Sequence, residues 1–470
     1  MSETTTTLGV IIGNRDFFPD VLVGEARKDI VKLFEPLKIK PIMLTPEQTK
    51  LGGVETYADA RKCADLFSEH RKEIDGVLVV LPNFGDEKGV ADTLKLAALN
   101  VPVLVQGYPD DLNALGVARR RDSFCGKISV CNNLTQARIP FTLTKKHVVH
   151  PTDPTFKADL AKFVGVCRTV KGLRRARFGA VGARPGAFNT VRYSEKILEN
   201  YGISVTTVDL SEILGKAQKL DGSDARVKAK LDAINNYAPS PGVPSDKMIQ
   251  MSKLGVVLDE FVATNDLQAT AIQCWTSLQQ NYGCNVCTCM SMMSQALMPS
   301  ACEVDITGAL SMYALSLASQ LPSALVDWNN NYGGDEDKCV LFHCGNWPKA
   351  FAPDTKIANA PILGSTLGVE NTYGAMEGRT PAGPLTYARF TTDDTAGVIR
   401  GYVGEGETTN DTLETFGHRA VAKITRLQEL LQYVCNNGFE HHVAVNGSHV
   451  GEVLTEACGK YLGWAMYQHK

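Results

Sequence analysis

Two absences limit the partners that this sequence can have. No apolar run approaches the roughly 18 residues of a membrane-spanning helix, and we expect no membrane partner. The 48 Lys and Arg residues are balanced by 51 Asp and Glu residues, and the formal net charge of -3 offers no positive field for nucleic acid. The first seven residues are polar and acidic, unlike the basic start of a secretory signal, so we expect the protein to be located in the cytoplasm. A small molecule is therefore the expected partner.

The fingerprints of nucleotide binding are also missing. Several glycines between Gly179 and Gly186 stand at a predicted strand-to-helix turn. They do not form G-x-G-x-x-G, and no Gly-Lys-Ser or Gly-Lys-Thr closes the segment as in a nucleotide P-loop. We predict a plain turn or the wall of a substrate pocket there, and no nucleotide cofactor.

The thirteen cysteines do not follow a disulfide or zinc pattern. They are scattered among apolar neighbours, as expected for reduced thiols that are buried as small hydrophobic side chains. Cys284 and Cys287 form a C-x-x-C, but a structural zinc site needs a second pair at comparable spacing. The cysteine that follows this segment, Cys302, stands alone, so we predict buried thiols.

The apolar pattern predicts an α/β fold with three domains. A chain of 470 residues, 44% of them hydrophobic, is long enough for two or three separate cores. Apolar β-type runs alternate with amphipathic stretches, which favours two Rossmann-like, doubly wound parallel-sheet domains, residues 1–172 and 173–348. Beyond residue 348 prolines interrupt short β-type segments, which predicts a β-rich C-terminal domain, residues 349–470, with terminal helices.

Three carboxylates stand among apolar residues in the predicted central domain. Charged groups are costly to bury unless they are paired or bound to a metal. Glu303 and Asp305 precede an apolar helical run and fit the acidic first turn of a helix. Asp327 ends an apolar β-type run and has no such role within it. Ion pairing and a joint metal role both stay open, and oxygen ligands with one imidazole suit Mn²⁺ or Mg²⁺.

Histidines near these carboxylates are candidate partners. His343 closes a predicted strand, and His441 and His442 begin another. Strand alternation sends the two adjacent rings to opposite faces, so only one is expected in a given site. Because ligands bind at the carboxyl ends of parallel strands, we expect Gln273, Asp327 and His343 to face one crevice.

At these residues the chain resembles the L-fucose isomerase and L-arabinose isomerase family of metal-dependent aldose-ketose isomerases. The resemblance covers essentially the whole chain and is closer to the fucose branch, because Asp327 stands where arabinose isomerases have a glutamate. It implies that Glu303, Asp327 and His442 bind Mn²⁺, with Mg²⁺, Co²⁺ or Fe²⁺ as alternatives. It also implies that Glu303 and Asp327 are the catalytic acid-base pair. His343 is similar to an extra histidine ligand of the arabinose branch, and His441 replaces an asparagine expected in fucose isomerases.

The resemblance also implies a substrate pocket and an assembly. Arg15 is similar in position to an arginine that reaches the substrate, often across a subunit boundary, and Gln273 and Trp275 resemble a pocket wall. His343 and His441 are further substrate-binding candidates, while Arg389 resembles part of the C-terminal framework. A homo-oligomer, expected to be a hexamer, with sites at subunit interfaces follows from the same resemblance.

The predicted function is interconversion of an aldose and its ketose through a metal-stabilised cis-enediolate. The substrate could be a hexose, a deoxyhexose, a pentose or an acid-substituted sugar such as a C6-sulfonated hexose. The acid-substituted sugar is included because Arg15 could bind its acidic group. A non-catalytic sugar-binding or regulatory protein is the alternative, since a two-domain α/β crevice also suits binding proteins. A metal-dependent hydrolase is a further alternative.

Overall fold

The computed structural model of the protein describes residues 5–470. The chain divides into two compact units, with the division between Lys171 and Gly172. Within residues 5–470, no helix is both long and apolar enough to cross a membrane. The two boundaries between the three predicted domains, at residues 172/173 and 348/349, remain a prediction.

The N-terminal unit is built on a five-stranded parallel sheet in the order β2-β1-β3-β4-β5. Its elements are β1 (Thr6–Ile12), α1 (Val21–Phe34), β2 (Ile39–Ile42), α2 (Tyr57–Glu69), β3 (Gly76–Leu81), α3 (Glu87–Ala97), β4 (Val103–Gly107), α4 (Ser123–Gln136), β5 (Thr142–Leu143) and α5 (Pro154–Leu173). Successive residues of β3 enter two different cores. Val77 and Val79 pack in one, while Leu78 and Val80 pack in the other. Helices therefore cover both faces of the sheet, as in a doubly wound fold.

The C-terminal unit begins with a four-stranded parallel sheet in the order β7-β6-β8-β9. Its elements are β6 (Arg177–Val181), α6 (Glu195–Asn200), β7 (Ser204–Val208), α7 (Leu210–Lys219), α8 (Ala225–Tyr237), α9 (Ser245–Thr264), β8 (Ala269–Ile272), α10 (Ser277–Asn281), α11 (Cys287–Gln295), β9 (Ser300–Cys302) and α12 (Ile306–Ser319). The prediction of two parallel-sheet α/β folds is confirmed.

A mixed sheet of nine strands follows, in the order β12-β13-β16-β11-β10-β17-β14-β15-β18. Its elements are β10 (Ser323–Tyr332), β11 (Asp335–His343), β12 (Lys356–Asn359), α13 (Pro361–Leu367), β13 (Tyr373–Arg379), β14 (Gly383–Asp393), β15 (Val398–Thr409), β16 (His418–Lys423), α14 (Leu427–Asn436), β17 (His442–Asn446), α15 (Gly451–Leu454) and β18 (Ala465–Gln468). Because β15 also pairs with β16, the strands from β16 to β15 in this order form a closed ring. The predicted β-rich C-terminal region is confirmed.

The strands that carry Asp327 and His343 differ from the prediction. We expected both residues at the carboxyl ends of parallel strands, but β10 and β11 form an antiparallel hairpin of the mixed sheet. The turn between them, Gly333 and Gly334, is too short for a parallel crossover. Asp327 lies within β10 and is paired in register with His442 of β17. Its position near the histidines therefore comes from antiparallel pairing and not from a strand end.

Candidate metal centre

A strained turn directs Glu303 into the protein interior. Glu303 and Val304 follow β9 with φ angles of 55° and 57°, a left-handed conformation that is unusual for a branched residue such as valine. Asp305 then caps α12, and its carboxylate accepts a hydrogen bond of 2.8 Å from the Gly308 amide. Such local strain is concentrated at functional sites in proteins.

The two oxygens of the Glu303 carboxylate have different surroundings. Oε1 accepts hydrogen bonds from Trp275 Nε1 at 2.9 Å and from the Cys274 thiol at 3.4 Å. Oε2 is buried and accepts no hydrogen bond from any residue in the range 5–470. It lies 3.8 Å from His343 Nε2 and 3.7 Å from His442 Nε2. Burial raises the pKa of Glu303, and Oε2 is left as an acceptor without a donor.

The His442 ring is held with one nitrogen toward the carboxylates. Its Nδ1 lies 2.8 Å from Asp305 Oδ2, while Nε2 lies 3.5 Å from Asp327 Oδ1. Burial opposes ionisation of Asp305, but Arg389 and His442 hold its pKa well below the usual range. The ionised carboxylate can only accept, so Nδ1 donates to it and Nε2 faces Glu303 and Asp327. Carboxylates orient metal-binding histidines in this way.

Arg389 fixes the carboxylate that orients His442. Its side chain is fully buried in β14, and two of its nitrogens bind the two Asp305 oxygens at 2.6 and 3.0 Å. Its Nε donates to Glu440 Oε2 at 3.1 Å, and Nη2 donates to Thr307 Oγ1 at 2.8 Å. This bidentate pair of hydrogen bonds holds the Asp305 carboxylate in a single orientation.

His441 and His442 lie close to the same carboxylate. His441 Nε2 is 3.7 Å from Asp327 Oδ1, and the centroids of the two histidine rings are 4.4 Å apart. The expectation that alternation separates the rings is wrong. His441 precedes the first residue of β17, where the backbone is not bound to strand geometry.

The sequence did not identify Phe188 as a residue of this site. Its ring lies 5.4 Å from the Trp275 ring, 5.7 Å from the His441 ring and 6.3 Å from the His442 ring, measured between centroids. Phe188 stands in the loop after β6 and shows no periodic pattern that would indicate a contact. The loop that was predicted to be a turn or a pocket wall thus contributes an aromatic side chain to the centre.

Gln273 and Arg15 have other contacts in the structure. The Gln273 side-chain oxygen accepts a hydrogen bond of 3.0 Å from the Ala183 amide, and Gln273 lines a cavity of about 590 Å³. Arg15, in the N-terminal unit, donates to the Gly85 carbonyl at 3.1 Å and stacks 4.2 Å over the Phe84 ring. Their roles in substrate binding remain predictions.

The donor atoms fit a divalent cation. An ion with bonds of about 2.1 Å can reach two donors that lie less than about 4.2 Å apart. The separations of His442 Nε2 from Glu303 and Asp327, and of His343 Nε2 from Glu303, are all below that limit. Ligand atoms of Glu303, His343 and His442 lie within 4.8 Å of one another, as do those of Asp327, His441 and His442. His442 belongs to both sets, and the Glu303 oxygen without a donor is the position a cation would satisfy.

Comparison with known proteins assigns both ends of the chain to one family. Residues 9–174 match the family model of the fucose/sulfoquinovose isomerase N-terminal domain, and residues 341–470 match that of the L-fucose isomerase C-terminal domain. The chain belongs to the fucose/sulfoquinovose isomerase family. The resemblance predicted from the carboxylate and histidine positions is therefore confirmed.

Several proteins named sulfoquinovose isomerase are similar to this chain over 65% to 97% of its length. Proteins named sulfoquinovose isomerase from Priestia aryabhattai and Priestia megaterium are each 24% identical over 474 residues, covering 97% of this chain and 97% of each relative. A sulfoquinovose isomerase from Alkalicoccus urumqiensis is 24% identical over 311 residues, covering 65% of this chain and 68% of the relative. Membership in a family of sugar isomerases supports the prediction that this protein is an enzyme.

Proposed function

We propose that this protein interconverts an aldose and its ketose through a cis-enediolate, with Mn²⁺ held by Glu303, Asp327 and His442. The observation that carries the proposal is the buried Glu303 Oε2, which has no hydrogen-bond donor within residues 5–470 and faces two histidine nitrogens. A buried carboxylate oxygen without a partner is costly unless a cation binds it. A bound divalent ion would stabilise the negative charge that develops on the sugar oxygens next to C1 and C2.

The two carboxylates carry the proton transfer in this proposal. Isomerisation moves a proton between C1 and C2 of the open-chain sugar, which needs a base on one side and an acid on the other. Burial raises the pKa of Glu303, which makes its carboxylate a stronger base than a carboxylate in water. Asp327 Oδ1 lies 3.5 Å from His442 Nε2, and its side chain is partly exposed, so it is open to substrate. Trp275 and Phe188 provide an apolar wall beside the pair.

An acid-substituted hexose, such as a C6-sulfonated hexose, is the proposed substrate class. The relatives that match 97% of this chain are named sulfoquinovose isomerases. A cavity of about 730 Å³ includes Val304, the neighbour of Glu303, and is also lined by Arg184 and Arg192. Guanidinium groups are planar and can donate paired hydrogen bonds to the oxygens of an anionic group. Arg15, which the resemblance predicts to reach the substrate, is a further candidate for binding the acidic group of the sugar.

A panel of aldoses incubated with the Mn²⁺-loaded protein tests the activity and the substrate class. We expect a ketose of unchanged mass from the C6-sulfonated hexose. We also expect a kcat/KM about 10- to 100-fold above that for the matching 6-deoxyhexose, the range for one lost charged hydrogen bond. A preference for the uncharged sugar would contradict the acidic substrate and leave the isomerase intact.

The two alternatives give different results in the same assay. A hydrolase releases products of changed mass from a glycoside or an ester and leaves free aldoses unchanged. A sugar-binding protein binds an aldose without turnover and carries no stoichiometric Mn²⁺ in metal analysis. Either result, with correctly folded protein supplied with excess Mn²⁺, would overturn the proposed isomerase.

A further inference from the structure

Four cysteines from distant parts of the C-terminal unit meet behind Glu303. Cys274 follows β8, Cys287 begins α11, Cys302 ends β9 and Cys344 follows β11. Three of them are buried, and Cys344 is half-buried. The sulfurs of Cys302 and Cys344 lie within 4.8 Å of each other, as do those of Cys274 and Cys302, and Cys287 is a neighbour of Cys344. The expectation that Cys302 stands alone is wrong, because its sulfur neighbours are far away in sequence.

His343 completes this group with a nitrogen donor. Its Nδ1 lies 3.5 Å from the Cys344 sulfur. The sulfurs of Cys302 and Cys344 and a nitrogen of His343 all lie within 4.8 Å of one another. Zinc binds sulfur at about 2.3 Å and imidazole nitrogen at about 2.1 Å in a tetrahedral arrangement, so its ligands stand about 3.6 to 3.8 Å apart. Only small side-chain adjustments separate the observed arrangement from a coordination site.

We propose that Cys302, Cys344 and His343 Nδ1 form a second metal site, for a thiophilic divalent cation of the Zn²⁺ class. Sulfur ligands select Zn²⁺ over Mn²⁺ or Mg²⁺, which prefer oxygen, so this site and the Glu303 site take different ions. Binding forms metal–sulfur bonds and releases the thiol protons to solvent. The proposal does not depend on the isomerase activity.

The two sites share one imidazole ring. His343 Nδ1 faces the thiols, and its Nε2 lies 3.8 Å from Glu303 Oε2. A neutral ring that binds a metal through Nδ1 carries its proton on Nε2. His343 then donates a hydrogen bond toward Glu303 or a sugar hydroxyl and is not a ligand of the catalytic ion. Occupancy of the sulfur site thus decides between the two roles predicted for His343.

Cadmium titration of the full-length protein tests the sulfur site. Protein with exposed Cys125 and Cys435 replaced by serine is first loaded with Mn²⁺ and then titrated with Cd²⁺, while the ultraviolet thiolate-to-cadmium band is recorded. We expect the band to saturate near one equivalent and to be lost in Cys302→Ser and in Cys344→Ser. Cys289→Ser is the matched control, because this buried thiol of α11 contacts the Met251 carbonyl and should leave the band unchanged.

Two results would overturn the sulfur site. One is a folded protein that gives no saturable band, and the other is a band that survives in both Cys302→Ser and Cys344→Ser. If neither serine variant folds, cadmium NMR of the parent protein decides. A shift typical of two or three sulfur ligands supports the site, and a shift typical of oxygen and nitrogen ligands contradicts it. None of these measurements involves turnover, so they are independent of the isomerase assay.

Discussion

At the scale of single residues, the two oxygens of the Glu303 carboxylate differ. Oε1 accepts a hydrogen bond from Trp275, whereas Oε2 has no hydrogen-bond donor among residues 5–470. We expect Glu303→Gln to lower kcat by about 10²- to 10⁴-fold or more, because it removes both a metal ligand and a proton-transfer group. Steady-state kinetics with saturating Mn²⁺ measures the loss, and circular dichroism checks the fold. Glu429→Gln, on exposed α14, is the matched control. A folded, metal-loaded Glu303→Gln protein with a near-normal rate would contradict the assignment.

Asp305 is a positioning residue in this account, because it acts through His442. Asp305→Asn removes the ionised acceptor of His442 Nδ1, and changes of this type weaken metal binding by about 10- to 100-fold. Calorimetric titration with Mn²⁺ measures that loss. We expect excess Mn²⁺ to restore much of kcat, which a purely structural defect would not allow. Unchanged Mn²⁺ affinity in the folded variant would contradict the role.

Part of this residue-scale arrangement could be predicted from the sequence. Asp305 does cap a helix, as its position before an apolar run predicted. Its second role depends on Arg389 and His442, which are 84 and 137 residues away. No local pattern contains such contacts. The cysteines show the same limit, since Cys302 finds its neighbours only through the fold.

At the scale of elements, the β10–β11 hairpin has a clear turn signal in the sequence. Gly333 and Gly334 between two β-type runs are typical of a two-residue hairpin turn. The preceding β-α alternation favoured parallel strands instead. The strands themselves and the position of His343 at a strand end were predicted correctly. Their sheet, and therefore the pairing of Asp327 with His442, could not be predicted from alternation alone.

Helix α4 contains a buried lysine that makes stability depend on pH. Lys127 donates to Thr144 Oγ1 and to the His147 carbonyl, both at 2.7 Å, and burial lowers its pKa from 10.5 to about 8. Between these values the unfolded chain binds more protons than the folded one, so this group makes stability rise with pH. Below pH 8 the cost of the buried charge is fully present.

Lys127→Met removes that pH dependence. Relative to the wild type, the variant should lose up to about 3 kcal/mol of free energy of unfolding as the pH rises from 7 to 10.5. Urea unfolding followed by circular dichroism at a series of pH values measures the difference. Lys88→Met, an exposed lysine of α3, is the control and should give a nearly constant difference. A constant difference for Lys127→Met as well would contradict the lowered pKa.

At the scale of the whole molecule, we predict that two chains together complete the site. Arg15 belongs to the N-terminal unit, and the resemblance predicts that it acts across a subunit boundary. If so, mixing Arg15→Ala subunits with Glu303→Gln subunits should restore activity, since about a quarter of sites in an equal mixture would combine both intact residues. Each variant alone is the control. No gain after subunit exchange, or a wild-type protein that sediments as an active monomer, would contradict the shared site.

The most direct measurement of the proposed activity is deuterium incorporation at C2 of an aldose in D₂O, followed by NMR with the Mn²⁺-loaded wild-type protein. Proton transfer by Glu303 and Asp327 through an enediolate predicts deuterium at C2 of the recovered aldose, together with a ketose from the same sugar. Exchange should fall to background in Glu303→Gln and after removal of the metal. Ketose formation without any exchange, or no reaction with any aldose of the panel, would contradict the proposed acid-base isomerase.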